Sequence, residues 1–374
     1  MNFRDKLSPS GPKRLLALDG GGIRGLISIE VLAAMEALLQ RRLNRGDDFV
    51  LADYFDYIAG TSTGGIIAAC LAWGMRVADV REFYQANGKT MFAKSSWLKR
   101  ILHKYDRSPL AAKLSEVFSE NGVPVLLGAE RLKTLLMLVL RNSTTDSPWP
   151  LSNNPEAKYN DTTRDDCNLN IPLWQLVRAS TAAPTYFPPE EFSVGDKKFT
   201  FVDGGITTFN NPALQLFLMA TLPEYRLTWP TGENKLLLVS LGTGVSPEAN
   251  ENLSARKMNL LYNAKSLPSA LMYAALVQQD LLCRVMGKCL AGGDLDREVR
   301  DLRWTANSPA KQFTYVRYNA ELTRAGLDHL GLAALDPKQV QALDSLQYMS
   351  ELAQVGRAVG STIKDEHFPE VFNC

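Results

Sequence analysis

The 374-residue chain is short of histidine, of pairable cysteines, of net charge and of long apolar runs. With only three histidines, His103, His329 and His367, an imidazole base has three candidates and no more. The five cysteines (Cys70, Cys167, Cys283, Cys289 and Cys374) are scattered and odd in number, and no close pair has zinc-ligand spacing, so they read as reduced thiols, mostly in the core. Lys and Arg total 41 against 40 Asp and Glu, which gives no electrostatic case for a nucleic acid polymer as partner and confines any membrane attraction to a local patch. No apolar run approaches the ~20 residues of a spanning helix, and residues 1–12 are charged where a signal peptide is apolar, so the expected location is cytoplasmic. What is present is a globular composition. A hydrophobic content of 45% over this length suffices for one large α/β domain, without internal repeats or low-complexity tracts.

The chain is organised around Tyr54-Phe55-Asp56-Tyr57-Ile58-Ala59-Gly60-Thr61-Ser62-Thr63-Gly64-Gly65, where an apolar run collapses around a serine and reopens as Ile66-Ile67-Ala68-Ala69-Cys70-Leu71-Ala72. The pattern predicts strand, sharp turn, helix. Gly60 and Gly64 bracket Ser62 as G-x-S-x-G, the nucleophile-elbow spacing that exposes a serine hydroxyl on a strained turn with a helix N-terminus behind it. A serine that merely caps a helix looks alike locally, but the strand before it and the small-residue helix after it favour a nucleophile.

A second strand, glycine turn and helix come earlier. Arg14-Leu15-Leu16-Ala17-Leu18-Asp19 predicts a buried strand that runs into Gly20-Gly21-Gly22-Ile23-Arg24-Gly25 before a helix over 26–43. These six residues also satisfy G-x-G-x-x-G, so a dinucleotide site is the rival reading. That site needs an acid at the end of the next strand, whereas the next strand ends in Gly60-Thr61-Ser62, and Asp47 and Asp48 lie in a polar turn before it. Bare glycines at a helix N-terminus can instead offer backbone N–H groups to a developing oxyanion, with Gly21 and Gly22 as donors. Arg24 falls near the mouth, where it orients a phosphate or braces the loop.

A serine nucleophile needs a base. His103 lies in a basic stretch, while His329 and His367 follow in the Ser, Asp, His order of α/β-hydrolases, though each is locally unremarkable. Lys198-Phe199-Thr200-Phe201-Val202-Asp203-Gly204-Gly205 delivers Asp203 to a strand end, the edge where ligands bind in α/β sheets. An ordinary Asp-Gly turn explains it equally well. A Ser–Asp dyad is workable if the carboxylate touches the hydroxyl in a dry site that raises its basicity.

The blocks Asp19-Gly20-Gly21-Gly22-Ile23-Arg24-Gly25, Gly60-Thr61-Ser62-Thr63-Gly64-Gly65 and Asp203-Gly204-Gly205, in that order, resemble the three signature blocks of the patatin-like phospholipases. Arg178-Ala179-Ser180-Thr181-Ala182-Ala183-Pro184-Thr185-Tyr186-Phe187-Pro188-Pro189 and Leu238-Val239-Ser240-Leu241-Gly242-Thr243-Gly244 resemble the same family, so the likeness runs over about residues 13–245. The resemblance implies Ser62 and Asp203 as a catalytic dyad and Gly20, Gly21 and Gly22 as the oxyanion hole, with Arg24 beside it. It implies calcium-independent lipid acyl hydrolysis of the phospholipase A type, needing no cofactor. Asp294-Leu295-Asp296-Arg297-Glu298 lacks the glycine of a calcium loop and reads as a solvated turn. Compact bacterial members of the family include antiphage effectors switched on by cyclic nucleotides, and this chain is similar to them in length and single-domain build. The resemblance therefore extends to a phospholipid membrane attacked from its inner face and to a cyclic nucleotide activator, and leaves a homo-oligomer open.

The expected fold is a three-layer α/β/α sandwich with a mostly parallel central sheet and both glycine turns at strand C-terminal ends. Its expected parts are an arm (1–12), a patatin-like catalytic core (13–245) and a mostly helical part (246–374) packed on the same domain. Residues 89–104 mix Lys and Arg with Met, Phe, Trp, Ile and Leu. They suit an interfacial segment whose Trp97, Leu98, Ile101 and Leu102 dip into a headgroup layer, and equally the buried face of an ordinary helix. A strand is expected near 135–140, followed by a long polar loop over 142–170 that could rim the site. Further on, the sequence predicts a helical stretch over 260–290 interrupted by Pro268, a strand over 312–318, and helices to 366. Two alternatives to a hydrolase stay open: an acyltransferase on the same dyad, in which an alcohol or thiol intercepts the acyl-enzyme, and a non-enzymatic lipid- or nucleotide-binding module.

Overall fold

The computed structural model describes residues 3–91, 109–184, 186–247, 260–296, 298–302, 310–344 and 346–373. His103 and the apolar residues Trp97, Leu98, Ile101 and Leu102 of the expected interfacial segment lie outside them. In chain order the strands are β1 (Lys13–Leu18), β2 (Tyr57–Thr61), the short arms β3 (Ser119–Glu120) and β4 (Val123–Pro124) of a hairpin, β5 (Leu135–Asn142), β6 (Ser147–Ser152), β7 (Glu190–Val194), β8 (Lys197–Asp203), β9 (Leu236–Leu241), β10 (Gly287–Ala291) and β11 (Phe313–Tyr318).

β1, β2 and β9 are buried at every position, as strands of a parallel sheet covered on both faces must be. Their side chains divide by parity. Leu16, Leu18, Ile58, Leu237, Val239 and Leu241 enter one core, while Leu15, Ala17, Tyr57, Ala59, Leu236 and Leu238 enter the other. The first core is closed by helices Gly25–Arg42, Thr63–Trp73 and Met349–Gly360, among others, and the second by helix Ala213–Thr221 and the end of helix Leu260–Met286. The expected three-layer sandwich is thus the observed one. No helix among the described residues is long and apolar enough to cross a membrane.

Among the described residues nine strands form the central sheet, in the order β10-β11-β9-β1-β2-β5-β8-β7 with β6 on β5, and it is parallel from β10 to β5. One junction positions the site. Met137, Leu138 and Val139 of β5 pair with β2 on one side and β6 on the other; from Leu140 onward β8 stands where β2 stood. β2 and β8 therefore meet end to end along one edge of β5 and run toward each other, with Thr61 opposite Val139 and Asp203 opposite Leu140.

Buried ion pairs fasten the sheet. Arg14 pairs with Asp56 (3.0 Å) where β1 and β2 begin, and Arg317 of β11 holds Asp19, just past β1, through two hydrogen bonds of 2.9 and 2.5 Å. Burial pushes the Asp19 carboxyl up while Arg317 pulls it down; the bidentate geometry keeps the pair ionic, and Asp19 raises the Arg317 guanidinium pKa. Arg317 also donates to Ser240 Oγ (2.7 Å), so β1, β9 and β11 share one polar knot. Residues 3–7 form a short helix whose buried Lys6 donates to Ala52 O and Phe55 O, satisfying carbonyls at the end of helix Leu51–Tyr54, and burial lowers its pKa to about 8.

Two expectations are corrected. The stretch 142–170 is not all loop, because β6 pairs with β5 from Asn142↔Ser147 to Met137↔Ser152. Pro148 and Pro150 argue against a strand but are tolerated because β6 pairs on one side only. The helix begun at Leu260 runs through Pro268 and stops at Met286, and Gly287–Ala291 joins the sheet as β10 beside β11. A short apolar run fused to a helix carries no period of its own with which to announce a strand.

Candidate active site

Ser62 sits between β2 and helix Thr63–Trp73 with φ 55°, a left-handed backbone that a non-glycine residue adopts only when its surroundings hold it there. The flanking glycines make the turn possible. A Cβ on Gly60 would enter the backbone of Gly64, and a Cβ on Gly64 would meet Leu18 O at the end of β1. Three consecutive residues are each anchored to a different segment. Thr61 Oγ1 donates to Phe209 O (2.7 Å), Ser62 N–H donates to Ser180 Oγ (3.0 Å), and Thr63 Oγ1 and Tyr84 OH bond at 2.6 Å.

The half-buried Ser62 hydroxyl donates to Asp203 Oδ2 at 2.6 Å. Oδ1 of the same carboxylate accepts the Gly205 N–H at 2.6 Å, and the Asp203 N–H donates to Ala182 O at 3.0 Å. The head-to-head meeting of β2 and β8 creates this contact. Burial pushes the Asp203 carboxyl up to about 6, against the hydrogen bonds from Ser62 and Gly205 and the charge of Arg178. The buried Arg178 donates to Pro188 O (3.2 Å), lies 5.3 Å from the Phe187 ring centre, and has its own pKa lowered by burial. A carboxylate that takes up a proton near pH 6, already bonded to a hydroxyl, has the geometry and basicity of a general base.

The glycine turn lies against Ser62: a Cβ on Gly20 would overlap Asn210 Oδ1 and stand 3.2 Å from Ser62 Cβ. Of the three glycines that the family likeness implies for the oxyanion hole, Gly20 has its N–H already engaged, donating to Asn210 O (3.1 Å). No described residue accepts the N–H of Gly21 or Gly22. A Cβ on Gly21 would collide with Thr243 Oγ1, which donates to Gly20 O at 2.9 Å; Gly22 has φ +60° and faces Leu343 O. Of the two services expected of Arg24, bracing is the one seen. Its Nη1 donates to Gln341 O (3.0 Å) while Ile23 N–H donates to Leu343 O (3.0 Å), and burial lowers the guanidinium pKa to about 10.

The described histidines serve elsewhere. His367 is buried with Nδ1 at 2.7 Å from Tyr318 OH, and His329 is exposed at the end of helix Arg324–His329. Among the described residues no group of three or more His, Cys, Asp or Glu side chains gathers as metal ligands. Sequence reasoning missed Ser180, Tyr84, Asn210 and Thr243 as supports of the two turns. Ser180 and Thr243 lie within the two extra blocks of family likeness, which was the available signal; Tyr84 and Asn210 carried none.

The family model described as patatin-like phospholipase matches residues 16–217, more than half the chain, and this stretch holds both glycine turns, Ser62 and Asp203. Patatin-like protein 1 of Arabidopsis thaliana is 29% identical over 334 residues, which are 78% of this chain and 78% of that protein. Patatin-17 of Solanum cardiophyllum is 32% identical over 265 residues, which are 65% of this chain and 63% of that protein. Among solved structures, VipD from Legionella pneumophila matches over 92% of this chain and 67% of its own, with a TM-score of 0.37 and 14% identity. By the extent of the family match, the chain belongs to the patatin-like phospholipase family.

Proposed function

We propose that the protein is a calcium-independent lipid acyl hydrolase of the phospholipase A type, working through Ser62 and Asp203 on membrane phospholipid from the inner face of the membrane. The observation that carries this reading is the 2.6 Å bond from the Ser62 hydroxyl to a carboxylate whose pKa burial raises to about 6. Asp203 Oδ2 takes the Ser62 proton as Oγ attacks the ester carbonyl carbon, and the Gly21 and Gly22 N–H groups receive the oxyanion of the tetrahedral intermediate. Collapse breaks the ester C–O bond. The departing alkoxide takes the proton from Asp203 and leaves as the lysolipid alcohol, with the acyl group on Ser62. Water then attacks the acyl-enzyme and gives its proton to Asp203. Breakdown of the second intermediate returns that proton to Ser62 Oγ and releases the fatty acid. Throughout, the Gly205 N–H on Oδ1 keeps Oδ2 turned toward the hydroxyl.

Fatty-acid release from mixed phospholipid vesicles in EDTA tests the reading, comparing the wild type with Ser62→Ala and Asp203→Asn. Release by the wild type and silence from both variants is expected; release by Ser62→Ala overturns it. Arms with and without cyclic di- and trinucleotides test the activation implied by the antiphage effectors. An added alcohol or thiol acceptor separates hydrolysis from acyl transfer by product.

A further inference from the structure

The turn Ser180-Thr181-Ala182, at the end of helix Leu173–Ser180, touches both members of the Ser62–Asp203 pair. Ser180 Oγ accepts the Ser62 N–H (3.0 Å) and donates its own proton to Val139 O (2.7 Å). Two residues on, Ala182 O accepts the Asp203 N–H (3.0 Å). Val139 is the β5 residue opposite Thr61, and a Cβ on Gly204 would press against the same Val139 carbonyl, so Ser180, through its bond, and the residue after Asp203, through packing, meet at one point of β5. Ser180 is fully buried, out of reach of bulk solvent.

We infer that Ser180 is a positioning residue: its hydroxyl holds the Ser62 main chain in its left-handed conformation, and the turn that carries it fixes the Asp203 strand to the same anchor. The distance from Ser62 Oγ to Asp203 Oδ2 is then set by one packed turn rather than by two strand ends moving independently. The position suits a serine, since the site needs a donor to Val139 O and an acceptor for Ser62 N–H within one small side chain. Alanine supplies neither and leaves two buried backbone groups without a partner. Space is limited as well, because a Cβ on Gly65 would stand 3.2 Å from Ser180 Oγ. Thr181 Oγ1 closes the helix end by donating to Arg178 O (2.9 Å), which keeps the turn rigid.

This inference rests on the proposal that Ser62 and Asp203 do the chemistry, and the test separates the two. Ser180→Ala, Ser180→Cys, Ser62→Ala and the control Thr134→Ala are compared with the wild type on a soluble ester, recording kcat, KM, Tm and the rate of inactivation by a fluorophosphonate. Thr134 is an equally buried hydroxyl bonded to a backbone carbonyl (Phe55 O, 2.7 Å), but at the opposite end of β5. Ser180→Ala is expected to lower kcat by about 100-fold with KM changed less than about threefold, and to slow fluorophosphonate inactivation in parallel. Ser180→Cys, a weaker partner of similar size, is expected to fall between and carries the test if Ser180→Ala does not fold. Thr134→Ala is expected to lower Tm with kcat unchanged. A Ser180→Ala protein with kcat within about threefold of wild type, or a Thr134→Ala protein that loses kcat equally, overturns the positioning role. If Ser62→Ala is silent while Ser180→Ala runs at the wild-type rate, this inference alone fails; an active Ser62→Ala refutes the proposed function beneath it.

Discussion

Replacing Asp203 by asparagine is expected to make the protein inactive and more stable at neutral pH. Asp203 is 4% exposed, and its carboxyl pKa stands at about 6 against 3.8 for the ordinary group, with burial as the largest cause. In the unfolded chain the proton is lost near pH 3.8, whereas the native state keeps it to about pH 6. Between those values the native state binds more protons, so stability falls as pH rises, and above pH 6 the full cost of an ionised buried carboxylate is present. At about 1.4 kcal/mol per pKa unit, that cost is at most about 3 kcal/mol. Asparagine removes it and keeps the bonding pattern, with Oδ1 accepting the Gly205 N–H and Nδ2 donating to Ser62 Oγ. Urea denaturation at pH 7.5 is expected to show Asp203→Asn more stable than the wild type by up to about 3 kcal/mol, with the gain fading at pH 4. An Asp203→Asn protein no more stable than wild type at pH 7.5, or a gain equally large at pH 4, would show that the folded protein bears no cost for ionising Asp203.

Asp203 must be ionised to accept a proton, so kcat/KM on a soluble ester is expected to rise with pH through about 6 and level off above it, as read from a pH–rate profile. Gly21→Ala pushes a Cβ into Thr243 Oγ1 and displaces an N–H donor, with an expected loss of about 100- to 1,000-fold in kcat in steady-state assays. Arg317→Met strands the buried Asp19 carboxylate and is expected to cost about 3–5 kcal/mol in urea denaturation.

The local half of this fold was legible. β1, β2 and the start of β5 are short apolar runs bounded by turn residues, and the glycines around Ser62 and at Gly20 to Gly22 announce the two turns. Asp203 could be placed at a strand end by alternation, but not beside Ser62, because the end-to-end meeting of β2 and β8 is a matter of register on β5, which neither strand's own residues specify. Asp19 and Arg317 stand 298 residues apart in the chain, so their pairing had no local trace. The bond from the Gly20 N–H had no local trace either, because its acceptor, Asn210 O, belongs to the loop that follows Asp203. The prolines of β6 and the seamless start of β10 misled for the opposite reason: local preference there yields to pairing in the sheet.

Trapping the acyl-enzyme tests the role of Ser62 most directly. Phospholipid turnover by the wild type is quenched in acid, and the digested protein is searched by mass spectrometry for a peptide heavier by one fatty acyl group. That group is expected on Ser62 and on no other residue, with none in the Ser62→Ala protein. An acyl group on a different side chain, or turnover by Ser62→Ala at the wild-type rate, would contradict it.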